Sequence, residues 1–296
     1  MQAVSLGWAL KSNPRMVPVS KLYLGHNCIG DAAAAALAAH VKNAGGCGLV
    51  ELRLHDNDIG DAGAAALASA LQNNARLSVL VLGHNRIGEL GAASLGLMLR
   101  FNSSITDLDV SGNALGDGGA QLLAECLPSN LVLRNLHLAR NGLTASGVRA
   151  LCQALEKGSA VCRVNLGGNR LEAAGGEAVA KMLEAGGAPK LTHLHLGATL
   201  LGDAGATSLA RALRSNRALQ ALYLPGNGIG DEGGAALAAS LGQNVTLAEL
   251  HVDANRLSAK GVAAISAVFS SRPAISRPLP AAFSVALAMA THPRLG

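Results

Sequence analysis

A chain of 296 residues, half of them apolar but only 2% aromatic, can fill a long core with alanine and leucine yet offers few rings on which nucleic-acid bases could stack. Its net charge of +5 sits at the ends: Lys11, Arg15 and Lys21 fall in residues 1–21, Arg272, Arg277 and Arg294 in residues 272–296, and neither stretch holds an acid. Without these six, 18 basic residues face 19 acidic ones, which excludes a basic stripe for phosphate binding along the body of the chain.

Five cysteines, at positions 28, 47, 126, 152 and 162, form no CxxC pair and are odd in number. They read as reduced, mostly packed thiols and point to the cytosol or nucleus. The opening residues lack the basic-then-apolar order of a secretion signal. The apolar run Leu279 to Ala290 is 12 residues long, contains Pro280 and is too short to span a bilayer.

In chain order, residues 1–18 read as a partial N-terminal repeat helix and linker. Leu6, Ala9, Leu10 and Asn13 match Leu67, Ala70, Leu71 and Asn74 of a later copy, and Pro14 and Pro18 follow. Residues 19–271 read as nine copies of a unit of about 28 residues. One copy is LVELRLHDNDIGDAGAAALASALQNNAR, Leu49 to Arg76. Its first half alternates apolar and polar residues, as a short strand with one buried face does. Its second half places Leu67 and Leu71 four apart behind Asp61, the pattern of a helix with an inward stripe and a capping acid. One strand and one helix of this size cannot bury enough apolar surface alone, so the copies must stack.

An asparagine closes each strand at 27, 57, 85, 113, 141, 169, 227 and 255, with Thr199 in the seventh of the nine slots. The spacings are 28 except for two of 30, where Gly45-Gly46 and Gly186-Gly187 add loop residues. Six positions further on, every copy but the first carries glycine (Gly63 to Gly261, with Ala33 the departure), which predicts close approach to the neighbouring coil. Asp31, Asp61, Asp117, Asp203 and Asp231, with Thr144 and Ser258 one position earlier, are expected to cap their own helices. Asn74, Asn102, Asn130, Asn216 and Asn244 are expected to end helices in the left-handed conformation. That explains the sequons at Asn102 and Asn244 without glycosylation. Residues 272–296 form a basic segment whose Pro278 and Pro280 occupy the apolar positions of a tenth strand and discourage pairing.

LxxLxLxxN followed by a helix at this period resembles the ribonuclease-inhibitor-like class of leucine-rich repeats. The phrases LYLGHNCIGDAAAAALA and LYLPGNGIGDEGGAALA resemble the repeats of NOD-like receptors. The resemblance implies an α/β fold: a right-handed solenoid, or horseshoe, with parallel β-strands on the concave face and α-helices on the convex face. It also implies a non-enzymatic, cytoplasmic module that binds a protein partner. Ran GTPase-activating proteins use similar repeats, so a GTPase regulator is an alternative, although the array lacks the long acidic tail of that family. A cytoskeletal or ciliary scaffold is another.

The strand position between the two leucines is expected to line the concave face: Tyr23, Arg53, Val81, Asp109, His137, Asn165, His195, Tyr223 and His251. The position before the first leucine adds Asp107 and Arg163 among others. Together they suggest a two-signed protein-binding patch, acidic in the first four coils through Glu51, Asp56, Asp58, Asp107 and Asp109, then basic through Arg140, Arg163 and Arg170 with His137, His193 and His195. The helix exteriors, mostly Ala, Gly, Gln and Ser, offer little anchoring area. No catalytic motif is present, and the Gly-rich stretches fall at one repeat position, as turns do. His193 and His195 lie two strands from His137, too far to share a zinc ion, so no metal, cofactor, small-molecule substrate, nucleic acid or membrane is expected as a partner.

Overall fold

The computed structural model describes residues 19–42, 48–184 and 186–271. The expected N-terminal helix, the Gly45-Gly46 insertion and the C-terminal basic segment lie outside the described residues. Among the described residues, nine three-residue strands alternate with nine α-helices: β1 (Lys21–Tyr23), α1 (Asp31–Lys42), β2 (Glu51–Arg53), α2 (Asp61–Leu71), β3 (Val79–Val81), α3 (Glu89–Phe101), β4 (Asp107–Asp109), α4 (Gly116–Cys126), β5 (Asn135–His137), α5 (Ala145–Glu156), β6 (Arg163–Asn165), α6 (Glu172–Leu183), β7 (His193–His195), α7 (Gly202–Leu213), β8 (Ala221–Tyr223), α8 (Asp231–Leu241), β9 (Glu249–His251) and α9 (Ala259–Ser271).

All strands pair in parallel and in sequence order, so the sheet is open at both sides. Repeat spacing becomes register: Leu52 lies beside Leu80, Leu80 beside Leu108, and Leu194 beside Leu222. These central side chains point at the helices and are buried, as are the helix leucines of the four-apart stripe, such as Leu95/Leu99 and Leu209/Leu213. Strands stack about 4.8 Å apart, whereas packed helices need about 8–10 Å. The sheet therefore takes the inner, concave side.

Strand-end asparagines join the coils. The Asn169 side chain donates to Leu138 O of the previous coil (2.9 Å) and to Leu166 O of its own (2.8 Å). Its Oδ1 accepts the amides of Asn141 (2.9 Å) and Leu143 (3.1 Å). Asn57, Asn85, Asn113, Asn227 and Asn255 repeat the pattern. The residue before each of these positions has a positive φ, from His26 through Asp56 and Arg140 to Ala254. That conformation aims its N–H along the stack: Arg140 N meets Gly167 O at 2.8 Å, and Ala198 N meets Pro225 O at 2.7 Å.

The helix-start aspartates do not cap their own helices. Asp61 Oδ1 instead accepts Gly88 N (2.7 Å) and Gly91 N (2.9 Å) at the start of the next helix, and Asp31 and Asp203 do the same one coil on. Asp117 and Asp231 reach Thr144 and Ser258, which also cap locally. This explains five of the eight column glycines (Gly63, Gly91, Gly147, Gly233 and Gly261), whereas a Cβ at Gly119, Gly175 or Gly205 would meet Leu115, Leu171 or Leu201 of its own coil. A Cβ on Gly91 would stand 2.7 Å from Asp61 Oδ1 and 2.6 Å from Ile87 Cγ2. Where the previous coil has Glu89, Ala145 or Ala173 in the aspartate slot, the next helix starts differently. Its residue three past the asparagine position turns left-handed (Gly116 φ 60, Glu172 φ 55, Gly202 φ 58). The N–H of that residue then goes forward to the next coil, to the carbonyls of Asn141, Thr199 and Asn227, each at 3.0 Å. Both orphan donors are satisfied either way.

The helix-end asparagines also differ from expectation. None of the five has a positive φ, and Asn102 and Asn130 are extended. Their amides bridge backward, as Asn102 Nδ2 to Leu71 O at 2.7 Å and Asn244 Nδ2 to Leu213 O at 2.7 Å. Both sequon asparagines are buried.

Thr199 breaks the strand-end series. Its hydroxyl reaches Leu196 O (2.7 Å) and Asn227 Oδ1 (2.9 Å), both away from the preceding coil, so it cannot take the two amides of that coil as Asn169 does. Thr199→Asn is expected to raise stability by about 1 kcal/mol, the net worth of a recovered hydrogen bond. Denaturant unfolding with an unchanged or lower midpoint would contradict this.

Candidate protein-binding face

Each strand turns its central residue inward to the helices and both flanking residues to the open side, so both columns read from the sequence line one surface. Tyr23 is 57% exposed, and Arg53 sits 5.4 Å above its ring while binding Glu51 Oε1 at 2.6 Å. Glu51 also accepts Lys21 at 3.2 Å and the Tyr23 hydroxyl. The Arg53 hydrogen bond holds its carboxyl below the usual glutamate range. Glu51 is thus spent within the surface, and Asp58 is spent on Arg86 (2.6 Å). The expected acidic half contracts to Asp107 and Asp109 on β4. Asp107 accepts from Thr106 Oγ1 and from Asn135 of β5, and Asp109 accepts the Ser111 amide.

Beyond β4 the parallel register places His137 beside Asp109 and Arg163 beside Asn135. Asn165 Oδ1 accepts Gly167 N at 3.0 Å. The last three strands carry a rail of rings. His195 stacks on Tyr223 with centroids 3.9 Å apart and planes 3° from parallel, and Tyr223 stacks on His251 at 4.6 Å and 19°. The Tyr223 hydroxyl donates to Glu249 at 2.7 Å. Burial, and then this carboxylate, push its pKa up to about 12, so it stays a neutral donor. Burial pushes the His195 imidazole down to about 4, helped by His137, His193, His251 and Arg163. His193 is lowered by burial and then by Arg163. At neutral pH the His195 and Tyr223 rings form a flat, uncharged surface between Arg163 and Glu249.

The family model described as Leucine Rich repeat matches residues 18–38, 49–68, 101–124, 129–152 and 215–238. These are leucine-rich repeats. Together with nine parallel strands alternating with nine helices, they make the fold an α/β leucine-rich-repeat solenoid. A chain of the yeast Rad7–Elc1 complex is similar at TM-score 0.54 and 18% identity, over 79% of this chain and 56% of that one. The actin-binding site 2 of leiomodin-1 (TM-score 0.42, 18% identity, 53% and 87% covered) and a plant ice-binding protein (0.46, 18%, 81% and 65%) are more distant in shape. No curated protein matches the sequence.

Two features of the leucine-rich-repeat surface escaped the sequence reading. The convex side is not uniformly poor in anchors: α3 exposes Leu90, Leu97 and Phe101 along one stripe, a pattern visible in their spacing of seven and four. In the loops after β1 and β2, one ligand atom each from His26, His55 and Asp56 lies within 4.8 Å of the others. Four cysteines are unpaired in the described residues, and burial pushes Cys152 up to about 12. Among those residues no helix is long and apolar enough to cross a membrane.

The depressed His195 sets a pH dependence. The unfolded chain takes up this proton near the ordinary value of 6.5 and the folded chain only near 4. Stability from a neutral His195 is therefore full above pH 6.5 and is lost as pH falls toward 4. Because the ring is partly solvated, the loss should be on the order of 1 kcal/mol. Thermal unfolding of His195→Asn, which copies Asn165, should show a smaller decline between pH 6.5 and 4 than the parent. Equal declines would contradict the assignment.

Proposed function

We propose that the protein is a non-enzymatic interaction scaffold that binds a protein partner through its concave sheet face. One observation carries this reading: a continuous open face on which Asp107 and Asp109, then His137 and Arg163, then the ring rail His195–Tyr223–His251 follow one another on adjacent strands. Tyrosine and arginine are the residues that most often anchor protein interfaces, and flanking charges steer approach. The leucine-rich repeats themselves support a binding role, since a solenoid presents a long surface at little cost in loops. A finer proposal rests on the two repeat phrases around Tyr23 and Tyr223: a cytoplasmic scaffold with repeats of the NOD-like-receptor type.

The test takes a partner isolated from the source cells with the purified chain and follows its binding kinetics. Reversing Asp107 and Asp109 to lysine should slow association and change its salt dependence, because exposed charges act mainly on encounter. Tyr223→Ala should weaken binding by about 2 kcal/mol or more, as loss of a central ring does. Normal binding by both variants, with loss instead in Leu97→Ser or Phe101→Ser on α3, would move the interface to the convex side. Stimulated GTP hydrolysis on addition of the chain to Ran would replace the scaffold reading with a GTPase regulator.

A further inference from the structure

We propose that His26, His55 and Asp56 form a binding site for a divalent transition-metal ion of the zinc class, which ties the first described coil to the second. The site is separate from the strand face, because all three residues lie in the loops that follow β1 and β2.

The geometry is close to what such an ion needs. Tetrahedral zinc with bonds of about 2.0–2.1 Å holds its ligand atoms roughly 3.3–3.5 Å apart. His26 Nδ1 and Asp56 Oδ2 stand at 3.6 Å, and one atom from each of the three residues lies within 4.8 Å of the others. The two imidazoles meet edge to face with centroids 5.0 Å apart. Closing the set from within 4.8 Å to that spacing takes ligand-atom shifts of roughly 1 Å.

The backbone is already fixed. His26 N donates to His55 O at 3.0 Å, and Asp56 N donates to Gly83 O at 2.9 Å. His26 and Asp56 occupy one repeat position in consecutive coils, both left-handed (φ 56 and 52).

A second observation points to a ligand. His55 Nδ1 is buried without a hydrogen-bond partner, the one side-chain nitrogen or oxygen in that state among the described residues. An unpartnered buried polar atom is costly, and a cation drawn into this cluster would change that balance. Two imidazoles and one carboxylate suit zinc, cobalt, nickel or copper; calcium and magnesium demand oxygen ligands throughout. Three protein ligands leave a fourth position for water. The His26 side chain is 76% exposed, so an ion reaches the cluster directly from solvent.

Zinc ions titrated into the full chain by calorimetry test the site, with cobalt absorption reporting the ligand type. One ion per chain should bind and raise the thermal midpoint, and cobalt should give tetrahedral bands without a sulfur charge-transfer band. His26→Ala, His55→Ala and Asp56→Ala should each weaken binding by about tenfold or more. The fold accepts alanine at these places: Ala198 and Ala254 hold the His26 and Asp56 position with φ 54, and Ala139 holds that of His55. The proposal is overturned by no saturable zinc binding to the parent chain, or by a smaller loss in His26→Ala, which is exposed and decides alone. A sulfur band with loss of binding in Cys28→Ser would likewise overturn it, by assigning the ion to that exposed thiol.

Discussion

The asparagine that ends each strand is the contact on which the stack depends. A three-residue strand gives only a short ladder, and the chain must then turn from sheet to helix while buried between two other coils. Turning strands peptide groups that no strand or helix can pair. An amide side chain offers donors and an acceptor on one planar group, so it can satisfy carbonyls of two coils and amides of a third segment at once. The left-handed residue just before it completes the joint by turning its own N–H along the stack.

Once the turns are satisfied internally, the rest of the surface is free of structural duty. Aspartates at the helix starts reach forward to the next coil, and where they are missing the next helix begins on a left-handed residue that sends its N–H forward as well. Glu172 shows the constraint is conformational first: it takes a glycine-like φ of 55, with its side chain paired to Arg170 at 2.7 Å in solvent. The strand flanks are then left to vary, and they do. Val79 and Val81 give an apolar stretch, Asp107 and Asp109 an acidic one, and His195, Tyr223 and His251 a stack of rings.

Much of this was legible from spacing alone. Strand columns, the helix stripe and the glycine column are single-file periodicities, and the parallel register carries them into space unchanged, so the ring rail follows from three consecutive entries in one column. Four contacts between coils are missed by that column-by-column reading. The aspartate caps act across a repeat, which a helix-by-helix reading misses even though the signal is present: Glu89, Ala145 and Ala173 each precede a coil with a different start. The helix-end asparagines bridge coils where a terminal left-handed turn was expected, because a buried carbonyl of the preceding helix needs a donor. His26, His55 and Asp56 meet only because the loop after β1 lies directly on the loop after β2, and Glu51 leaves the acidic patch because Lys21 and Arg53 flank it in space.

Equilibrium unfolding of Asn169→Ala tests the joint most directly. This side chain is 2% exposed and makes four hydrogen bonds to backbone, on the coils of β5 and β6. Its removal leaves buried carbonyls and amides without partners, each worth about 1–3 kcal/mol. The account predicts a loss of about 3 kcal/mol or more. A change within about 0.5 kcal/mol, typical of a surface substitution, would show that the short strands and helix packing hold the coils together without the asparagines.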